Sequence, residues 1–492
     1  MARPNILLVV ADDHAANAVG CYGGPHRVTP QIDRVAAGGM RFDACGCTNS
    51  LCSPSRATIL TGTYNHRNGV TTLSTEFDNR QPTFPAMLRD AGYRTALFGK
   101  WHLGHGPTHD PVGFDRWEVL NDQGEYVDPT FFQPDGTSVV RPGYATDVIT
   151  DLALDWLSDP DGAAGEEPWY LLVQHKAPHR PWVPAERHKH LFADGFDAPS
   201  TFFDDYEGRA KAARDARMRV ARDLNTEDLK EEPPAGLDDK AHALWALDRY
   251  LADYLRCVVA VDEGVGRLLD HLDETGQADD TVVVYTSDQG FFLGEHGWYD
   301  KRFMYRESLE SPFVVRYPRM VPPGSSSDAL VLNVDFAQTF LELAGVDAHP
   351  RMQGHSLVPL LRGDDPEAVG WRTETYYRYW EHLDGIHHVA AHRGIRTKDR
   401  KLVHYYGSGC GQPGASNQEI PAEWELFDLE RDPEELRSVY DDPAYTDDVR
   451  RLTEALDRLA TDLGDDIPPP SGGRACRDHS TSSHPSEPEE NS

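Results

Sequence analysis

PNILLVVADD, residues 4–13, is the stretch from which the class of fold follows. Its continuous apolar run predicts a β-strand buried on both faces, as in a parallel sheet covered by helices. The run ends in Asp12 and Asp13, and ligands of open α/β sheets bind at the carboxyl ends of the strands. We therefore expect an α/β protein in which these two carboxylates lie at a functional site.

Further segments repeat the pattern of an apolar strand followed by polar loop residues. They are YRTALFGKWHLG (93–104), WYLLVQHKAPHRP (169–181) and TVVVYTSDQG (281–290). The helical periodicity of residues 244–272, just before the last of them, supports alternating strands and helices. Asp288 and Gln289 join Asp12 and Asp13 as oxygen donors, which suit Ca²⁺ or Mg²⁺. The sequence therefore predicts a hard divalent cation at the edge of the sheet.

A cysteine motif indicates a candidate nucleophile. CSPSR, residues 52–56, is followed by Thr61 and Gly62. A cysteine at the start of a helix, with Arg56 one turn later, is arranged as a nucleophile where backbone N–H groups favour anions. The alternative is a buried structural thiol, which lone cysteines usually are. The motif favours a site for a negatively charged substrate.

The chain resembles the type I, formylglycine-dependent sulfatases of the alkaline phosphatase superfamily. It matches their Cys-x-Pro-Ser-Arg and Thr-Gly pattern, and GKWHLG at residues 99–104 is a family signature. The resemblance extends to about residue 302. It implies an alkaline phosphatase-like mixed sheet sandwiched by helices, with a small C-terminal antiparallel sheet. It also implies a sulfuric ester hydrolase that cleaves a sulfate monoester.

The resemblance assigns the reactive group to Cys52. A formylglycine-generating maturation enzyme would oxidise its thiol to the aldehyde of 3-oxoalanine, and the aldehyde hydrate would attack sulfur. The implied catalytic residues are Cys52, Arg56, Lys100, His102, His179 and Lys301. Lys100 would neutralise the sulfate and the hydrate, and His102 would act on the second hydroxyl of the hydrate. His179 would contact the ester oxygen, while Lys301 would bind the sulfate and assist departure of the leaving oxygen.

The resemblance also implies a metal site. Its ligands would be Asp12, Asp13, Asp288, Gln289 and an oxygen of the modified Cys52. The family binds Ca²⁺, and Mg²⁺ or Mn²⁺ also suits such ligands. Many sulfatases have Asn or His where this chain has Gln289, a departure that affects the coordination geometry rather than the role.

Two strings point to the substrate. HKAPH (175–179) and GEHGWYDKR (294–302) look like the branch of carbohydrate sulfatases that includes N-acetylglucosamine-6-sulfatases. The implied substrate is a small sulfated sugar, such as N-acetylglucosamine 6-sulfate. We expect His175, His296 and Arg302 to bind it, although His175 and its neighbour Lys176 are equally compatible with positions behind the site.

Two other functions stay open at this stage. A phosphodiester or phosphonate monoester hydrolase of the same superfamily would need similar stabilisation of a tetrahedral oxyanion. A non-catalytic anion-binding protein would keep Cys52 unconverted, but it would not need His102 or Lys301.

The division of the chain is predicted from changes in pattern. Residues 1–365 form the catalytic domain, with 187–240 as a charged, weakly periodic surface insertion. Short alternating aromatic strands and a helix at 446–463 predict an α+β subdomain over 366–465. The remaining residues, 466–492, are rich in Pro, Ser and Glu and predict a disordered tail.

Charge and composition narrow the class of partner. The net charge of −33 argues against nucleic acid. No apolar run is long enough to span a membrane, and the first residues pass directly into a strand without the regions of a signal peptide. Seven cysteines are an odd number without disulfide-scaffold density. We expect a cytoplasmic protein, with its oligomeric state left open.

Overall fold

A mixed β-sheet flanked by helices forms the body of the protein, and the computed structural model describes residues 3–465. The strands are β1 (Asn5–Ala11), β2 (Met40–Phe42), β3 (Cys45–Gly46), β4 (Arg94–Lys100), β5 (Arg116–Leu120), β6 (Thr130–Phe132), β7 (Ser138–Val140), β8 (Trp169–Gln174), β9 (Thr281–Ser287), β10 (Phe292–Leu293), β11 (Tyr299–Asp300), β12 (Phe313–Arg316), β13 (Ser325–Ser327), β14 (Val331–Leu332), β15 (Thr375–Tyr379), β16 (His392–Arg396), β17 (Arg400–Tyr405) and β18 (Glu423–Asp428). The helices are α1 (Pro30–Ala37), α2 (Cys52–Thr61), α3 (Asn65–Asn68), α4 (Phe84–Asp90), α5 (Ala145–Ser158), α6 (Lys211–Asp215), α7 (Val220–Asp223), α8 (Thr226–Leu229), α9 (Asp239–Glu274), α10 (Arg306–Leu309), α11 (Phe336–Ala344), α12 (Val358–Leu361) and α13 (Thr446–Leu463). The tail predicted to be disordered, residues 466–492, lies outside the described residues.

The main sheet has ten strands in the order β13-β2-β12-β9-β1-β8-β4-β5-β6-β7. Its central strands, from β9 to β5, are all parallel, and antiparallel pairs lie on both sides of them. All residues of β1 except Asn5 are buried, and so is the whole of β9. Burial on both faces explains why these strands read as continuous apolar runs. The parallel register brings Ala11 opposite Ser287, so that the loops after β1 and β9 begin side by side.

Helices cover both faces of this sheet. On one face, α1, α5 and α9 pack against the odd-numbered side chains of β1, Leu7 and Val9. On the other face, α2, α4 and α11 pack against Ile6 and Leu8. The period of two along β1 therefore divides its side chains between two hydrophobic cores. The predicted α/β sandwich is confirmed.

The helix predicted over residues 244–272 is confirmed as part of the longer α9, which begins after the Asp238 cap. Asp262, on this helix, serves as a cap for a different helix. Its carboxylate accepts hydrogen bonds from the backbone N–H groups of Gln31, at 3.0 Å, and Ile32, at 2.8 Å, in the first turn of α1. Those N–H groups have no intrahelical acceptor, so α9 satisfies the open end of α1.

Asp262→Asn should keep this cap while removing a buried charge. Burial raises the pKa of Asp262 to about 7, against the opposing effect of the two backbone hydrogen bonds. Between roughly pH 4 and 7 the folded protein therefore holds a proton that the unfolded chain has released. This contribution to stability falls as the pH rises through that window, so the loss of stability between pH 5 and 8 should be smaller in the asparagine variant than in the parent. Urea unfolding at pH 5, 7 and 8 measures it.

Asp262→Ala is the matched variant, because it leaves the two N–H groups without an acceptor. We expect it to lose about 1–2 kcal/mol of stability at pH 8, more than the asparagine variant loses. An asparagine variant less stable than the alanine variant at pH 8 would contradict the capping role.

The C-terminal part contains the predicted small antiparallel sheet, in the order β15-β16-β17-β18. Helix α13 packs on it through Leu452 and Leu456. Tyr377 of β15 joins this sheet to the main body, because its hydroxyl accepts a hydrogen bond from Ser50 N–H at 3.2 Å and donates one to the carbonyl of Arg302 at 2.7 Å. The small sheet thus contacts the loop that leads to α2.

The segment 187–240 folds into turns and the short helices α6, α7 and α8. Ala213 and Met218 are fully buried, and the carbonyl of Met218 accepts a hydrogen bond from Tyr299 N–H at 2.8 Å. The segment therefore contributes to the interior as well as to the surface. Its status as an insertion and the boundary at residue 365 stay predictions. None of the helices between residues 3 and 465 combines the length and apolarity needed to cross a membrane.

Candidate active site

The loops after β1 and β9 bring three carboxylates together. Asp12, Asp13 and Asp288 each place one oxygen within 4.8 Å of the others, and all three are buried. The backbone N–H of Asp13 donates to Asp288 Oδ1 at 3.2 Å, which ties the two loops together. Their sequence positions predicted this convergence, since carboxyl ends of parallel neighbours meet at one edge of a sheet.

The electrostatics of the three acids suit a divalent cation. Burial, with repulsion from the neighbouring aspartates, raises the pKa of Asp13 to about 7 and that of Asp288 to about 6. Gln289 donates from Nε2 to Asp13 Oδ1 at 2.5 Å, and its Oε1 is buried without a hydrogen-bond partner. A hard cation would relieve the repulsion and use the open amide oxygen. The donor set therefore fits the predicted metal.

Cys52 is the first residue of α2, and all ten residues of that helix are buried. Its Sγ lies 3.4 Å from Asp12 Oδ1. Burial, together with Asp12, raises the pKa of the thiol to about 12. Near pH 7 the thiol is therefore protonated, and a protonated thiol is a poor nucleophile. The position suits a chemically converted side chain better than a thiol.

Arg56 lies one turn further along α2, and its guanidinium group contacts other residues of the protein. Its Nη2 lies 3.0 Å from Asp288 Oδ2, and Nη1 donates to the carbonyl of Lys100 at 3.0 Å and to Gln174 Oε1. These contacts hold the carboxylate of Asp288 and link the ends of β4, β8 and β9. Gln174 was not anticipated from the sequence, although the last residue of a buried parallel strand is where such a group belongs.

Two of the predicted lysines neutralise the aspartate pair. Lys100 Nζ pairs with Asp12 and donates to Gln123 Oε1 at 2.6 Å. Lys301 Nζ lies 2.7 Å from the carboxylate of Asp13. Both ammonium groups are buried, so they place positive charge where a bound anion would lie.

The predicted histidines flank the same centre. His102 has Nδ1 3.3 Å from Ser53 Oγ and Nε2 3.2 Å from Asp122 Oδ1. Burial and the Lys100 ammonium lower the pKa of His102 to about 4, so its ring is neutral near pH 7 and can accept a proton.

His179 approaches from the loop after β8. Its Nδ1 donates to the carbonyl of Arg180 at 2.8 Å, so the neutral ring leaves Nε2 as an acceptor, 3.7 Å from Asp13 Oδ2. Burial holds the pKa of His179 well below its ordinary value. The structure thus brings His102 and His179 to the aspartate pair from two different strands.

The structure does not bring His175 or His296 to this centre. The His175 ring lies beside Gly264 of α9, on the opposite face of the sheet from α2, and is fully buried. His296 Nδ1 lies 3.1 Å from Asp204 Oδ2 and 3.1 Å from Arg209 Nη1, also in the interior. The contacts of the two rings are with groups other than the acidic cluster, and their role in substrate binding stays a prediction.

Arg302 follows the site lysine directly and is buried as well. Its Nη1 lies 3.2 Å from the hydroxyl of Tyr379 and 3.3 Å from Glu381 Oε1, both from the C-terminal part of the chain. Its role in substrate binding stays a prediction. Residues that pair with the site across such distances in sequence, like Glu381, carried no local motif that could have identified them.

Comparison with known proteins agrees with this geometry. The Sulfatase family model matches residues 4–346, and the model described as N-sulphoglucosamine sulphohydrolase, C-terminal, matches residues 294–462. The N-acetylglucosamine-6-O-sulfatase of Bacteroides thetaiotaomicron is 41% identical over 510 aligned positions, covering 95% of this chain and 88% of that protein.

Two solved structures are informative at different levels. A protein in complex with its substrate D-glucosamine-2-N,6-O-disulfate superposes with a TM-score of 0.85 at 40% identity, covering 95% of this chain and 99% of the other. The phosphonate monoester hydrolase of Silicibacter pomeroyi superposes with a TM-score of 0.71 at 22% identity, covering 94% and 96%. The second likeness extends to the fold alone.

Proposed function

The chain belongs to the sulfatase family, and on that basis we propose that its substrate is a glucosamine-type sugar with a 6-O-sulfate, with N-acetylglucosamine 6-sulfate as the first candidate. The enzyme is a sulfatase that hydrolyses a carbohydrate sulfate ester. The observation that carries the proposal is the convergence of Asp12, Asp13, Asp288 and Cys52 at one buried centre in a chain 41% identical to an N-acetylglucosamine-6-O-sulfatase.

The proposed reaction needs two groups that are not ordinary side chains, namely a formylglycine at position 52 and a Ca²⁺ ion. We propose that a maturation enzyme converts Cys52 to formylglycine, whose hydrate supplies the oxygen nucleophile that a thiol with a pKa of about 12 does not. Asp12, Asp13, Asp288 and Gln289 would hold Ca²⁺, which would polarise the sulfate oxygens. The open oxygen of Gln289 and the raised pKa values of Asp13 and Asp288 support the cation site.

The protein's own side chains then divide the remaining work. Lys100 and Lys301 offer ammonium groups that bind and orient a sulfate next to position 52. His102 is neutral and close to Ser53, the residue after Cys52, so it is placed to take a proton from a hydroxyl at position 52. His179 approaches from the other side, where its Nε2, once the ring takes up a proton beside the carboxylate of Asp13, can donate to the ester oxygen.

The direct test compares hydrolysis of N-acetylglucosamine 6-sulfate, galactose 6-sulfate and the phosphonate monoester 4-nitrophenyl phenylphosphonate by the matured protein. We expect kcat/KM for the glucosamine ester to exceed the other two by at least about 100-fold, or about 2.7 kcal/mol of transition-state discrimination. Faster turnover of the phosphonate would move the protein to the phosphonate monoester hydrolases. No turnover by protein with fully converted Cys52 would favour a binding role.

His179→Ala should depend on the leaving group. A sugar alkoxide needs a proton as it departs, whereas 4-nitrophenolate is stable without one. Since Nδ1–H of His179 is bound to the carbonyl of Arg180, the ring supplies that proton from Nε2 in its imidazolium form. We expect kcat/KM to fall about 10²–10³-fold on the sugar sulfate and less than about tenfold on 4-nitrophenyl sulfate. Steady-state kinetics on the two substrates measures the difference.

His175→Gln is the matched control, because His175 lies in the same loop but faces α9. It should leave the ratio of activities on the two substrates unchanged. Equal losses on both substrates in His179→Ala would show that the ring does not act on the leaving oxygen.

A further inference from the structure

Lys176 differs from the other buried lysines in having no acidic partner. The four buried lysines of residues 3–465 are Lys100, Lys176, Lys301 and Lys401. Three of them pair with acids: Lys100 with Asp12, Lys301 with Asp13 and Lys401 with Glu435. Within the described chain, no carboxylate oxygen lies within ion-pair distance, 4.0 Å, of the Lys176 ammonium. Its Nζ lies over the ring of Tyr126, 4.9 Å from the centroid.

The backbone places Lys176 at the active centre. His179 N–H donates to the carbonyl of Lys176 at 3.0 Å, which closes a turn, and Asp12 N–H donates to the carbonyl of Ala177 at 3.3 Å. The turn is therefore fixed to the end of β1. Tyr126, under the lysine, donates from its hydroxyl to the carbonyl of His179 at 2.5 Å. Lys176 and His179 thus form one rigid unit anchored beside the aspartate pair.

The charged surroundings of Lys176 leave its ammonium uncompensated. Burial, followed by repulsion from the Lys100 ammonium, lowers the pKa of Lys176 to about 8, while Asp12, Cys257 and Cys52 act in the opposite direction. The ammonium is still mostly protonated at pH 7. A buried charge without a partner is costly, and a bound anion removes much of that cost.

We propose that Lys176 is a further sulfate-binding residue, which holds the sulfate group together with Lys100 both in the substrate and after its release. The inference rests on the proposed function, because it places a sulfate at this centre. The sulfate of the ester carries one negative charge and free sulfate carries two, so an extra ammonium favours the product more than the substrate. Lys176 would therefore set how strongly released sulfate inhibits the enzyme.

The test measures the affinity of inorganic sulfate, by calorimetry and as the inhibition constant for hydrolysis of N-acetylglucosamine 6-sulfate, at pH 7. We expect Lys176→Met to weaken sulfate binding about tenfold and to raise KM by a smaller factor, about threefold, with the same metal content as the parent and a melting temperature no lower than that of the parent. Lys176→Arg, which keeps the charge, should stay within about threefold of the parent. Lys398→Met, which removes an exposed lysine, should behave like the parent.

The outcomes separate the inference from the proposed function. If the parent binds sulfate and hydrolyses the sugar sulfate while Lys176→Met binds sulfate equally well, the inference is overturned and the function stands. Equal weakening in the methionine and arginine variants would also overturn it, because shape rather than charge would then be responsible. A matured parent that neither binds sulfate nor turns over the ester would overturn the proposed function itself.

Discussion

Cys52→Ala is expected to abolish hydrolysis of the sugar sulfate, with a loss of at least about 10⁴-fold in kcat. The substitution removes the thiol that is to be converted to the aldehyde, whose Sγ lies 3.4 Å from Asp12 Oδ1, and leaves the lysines and the acidic cluster in place. Substrate should therefore still bind, with an affinity within about tenfold of KM in the parent. Release of sulfate and calorimetric titration with the sugar sulfate measure the two effects.

Cys45→Ala is the control, since Cys45 is also a buried cysteine of the same segment but lies in β3. It should keep most of the activity. Mass spectrometry of the tryptic peptide 42–56 then links activity to conversion, because active preparations should carry the aldehyde at position 52. A fully active parent whose Cys52 is a thiol in every molecule would refute the proposed chemistry.

Asp13→Asn should remove both the metal ion and the activity. Asp13 stands at the centre of the cluster, where it contacts Lys301, Gln289 and His179. Asparagine keeps the shape but loses the charge, so the cation loses a ligand and the Lys301 ammonium loses its counter-ion. We expect bound metal to fall from about one equivalent to less than about 0.2 and kcat/KM to fall about 10³-fold or more. Elemental analysis of purified protein gives the metal content.

Asp262→Asn is the matched control for this change. It neutralises another buried aspartate, away from the acidic cluster, and should keep the full metal content. Recovery of Asp13→Asn activity at millimolar Ca²⁺ would agree with weakened binding. Full metal content in Asp13→Asn would show that the cation is held elsewhere.

The central sheet and the acidic cluster were predictable because both depend on local pattern. A parallel strand buried on two faces has to be apolar throughout, and β1 and β9 both show such runs in the sequence. Their carboxyl ends meet at one edge of the sheet, so Asp12 and Asp288 could be placed together although they are 276 positions apart in the sequence. The pairing of Ala11 with Ser287, by contrast, has no local signal in the sequence. Helix α9 was predicted over 244–272, so its capped start and its last two residues were missed.

The positions of His175 and His296 depend on more than the local sequence pattern. Side chains alternate along β8, so Gln174 points to Arg56 and His175 points to α9, and this alternation was the signal that His175 faces away. His296 lies in the interior because Asp204 and Arg209, far away in the chain, hydrogen-bond its ring. No spacing within its own motif indicates those partners.

Two opposing effects act on the pKa of the Cys52 thiol, the helix N-terminus, which lowers it, and burial, which raises it. A helix N-terminus stabilises an anion by typically 0.3–1 kcal/mol, which is less than one pKa unit. Burial, reinforced by the nearby Asp12, raises the pKa of the thiol from 9.0 to about 12, so it outweighs the helix. The sequence indicates the helix terminus but not the depth at which the fold places it.

The contact between Tyr377 and Ser50 also orders events during synthesis. Tyr377 is made about 325 residues after Cys52, which at about 5–20 residues per second takes roughly 16–65 s. For that interval the segment around Cys52 lacks the tyrosine that ties its loop to Arg302 in the finished protein. The proposed maturation enzyme therefore has tens of seconds during translation to reach Cys52 before this contact forms. Slower translation of the later codons would lengthen that interval and raise the fraction of chains that leave the ribosome converted.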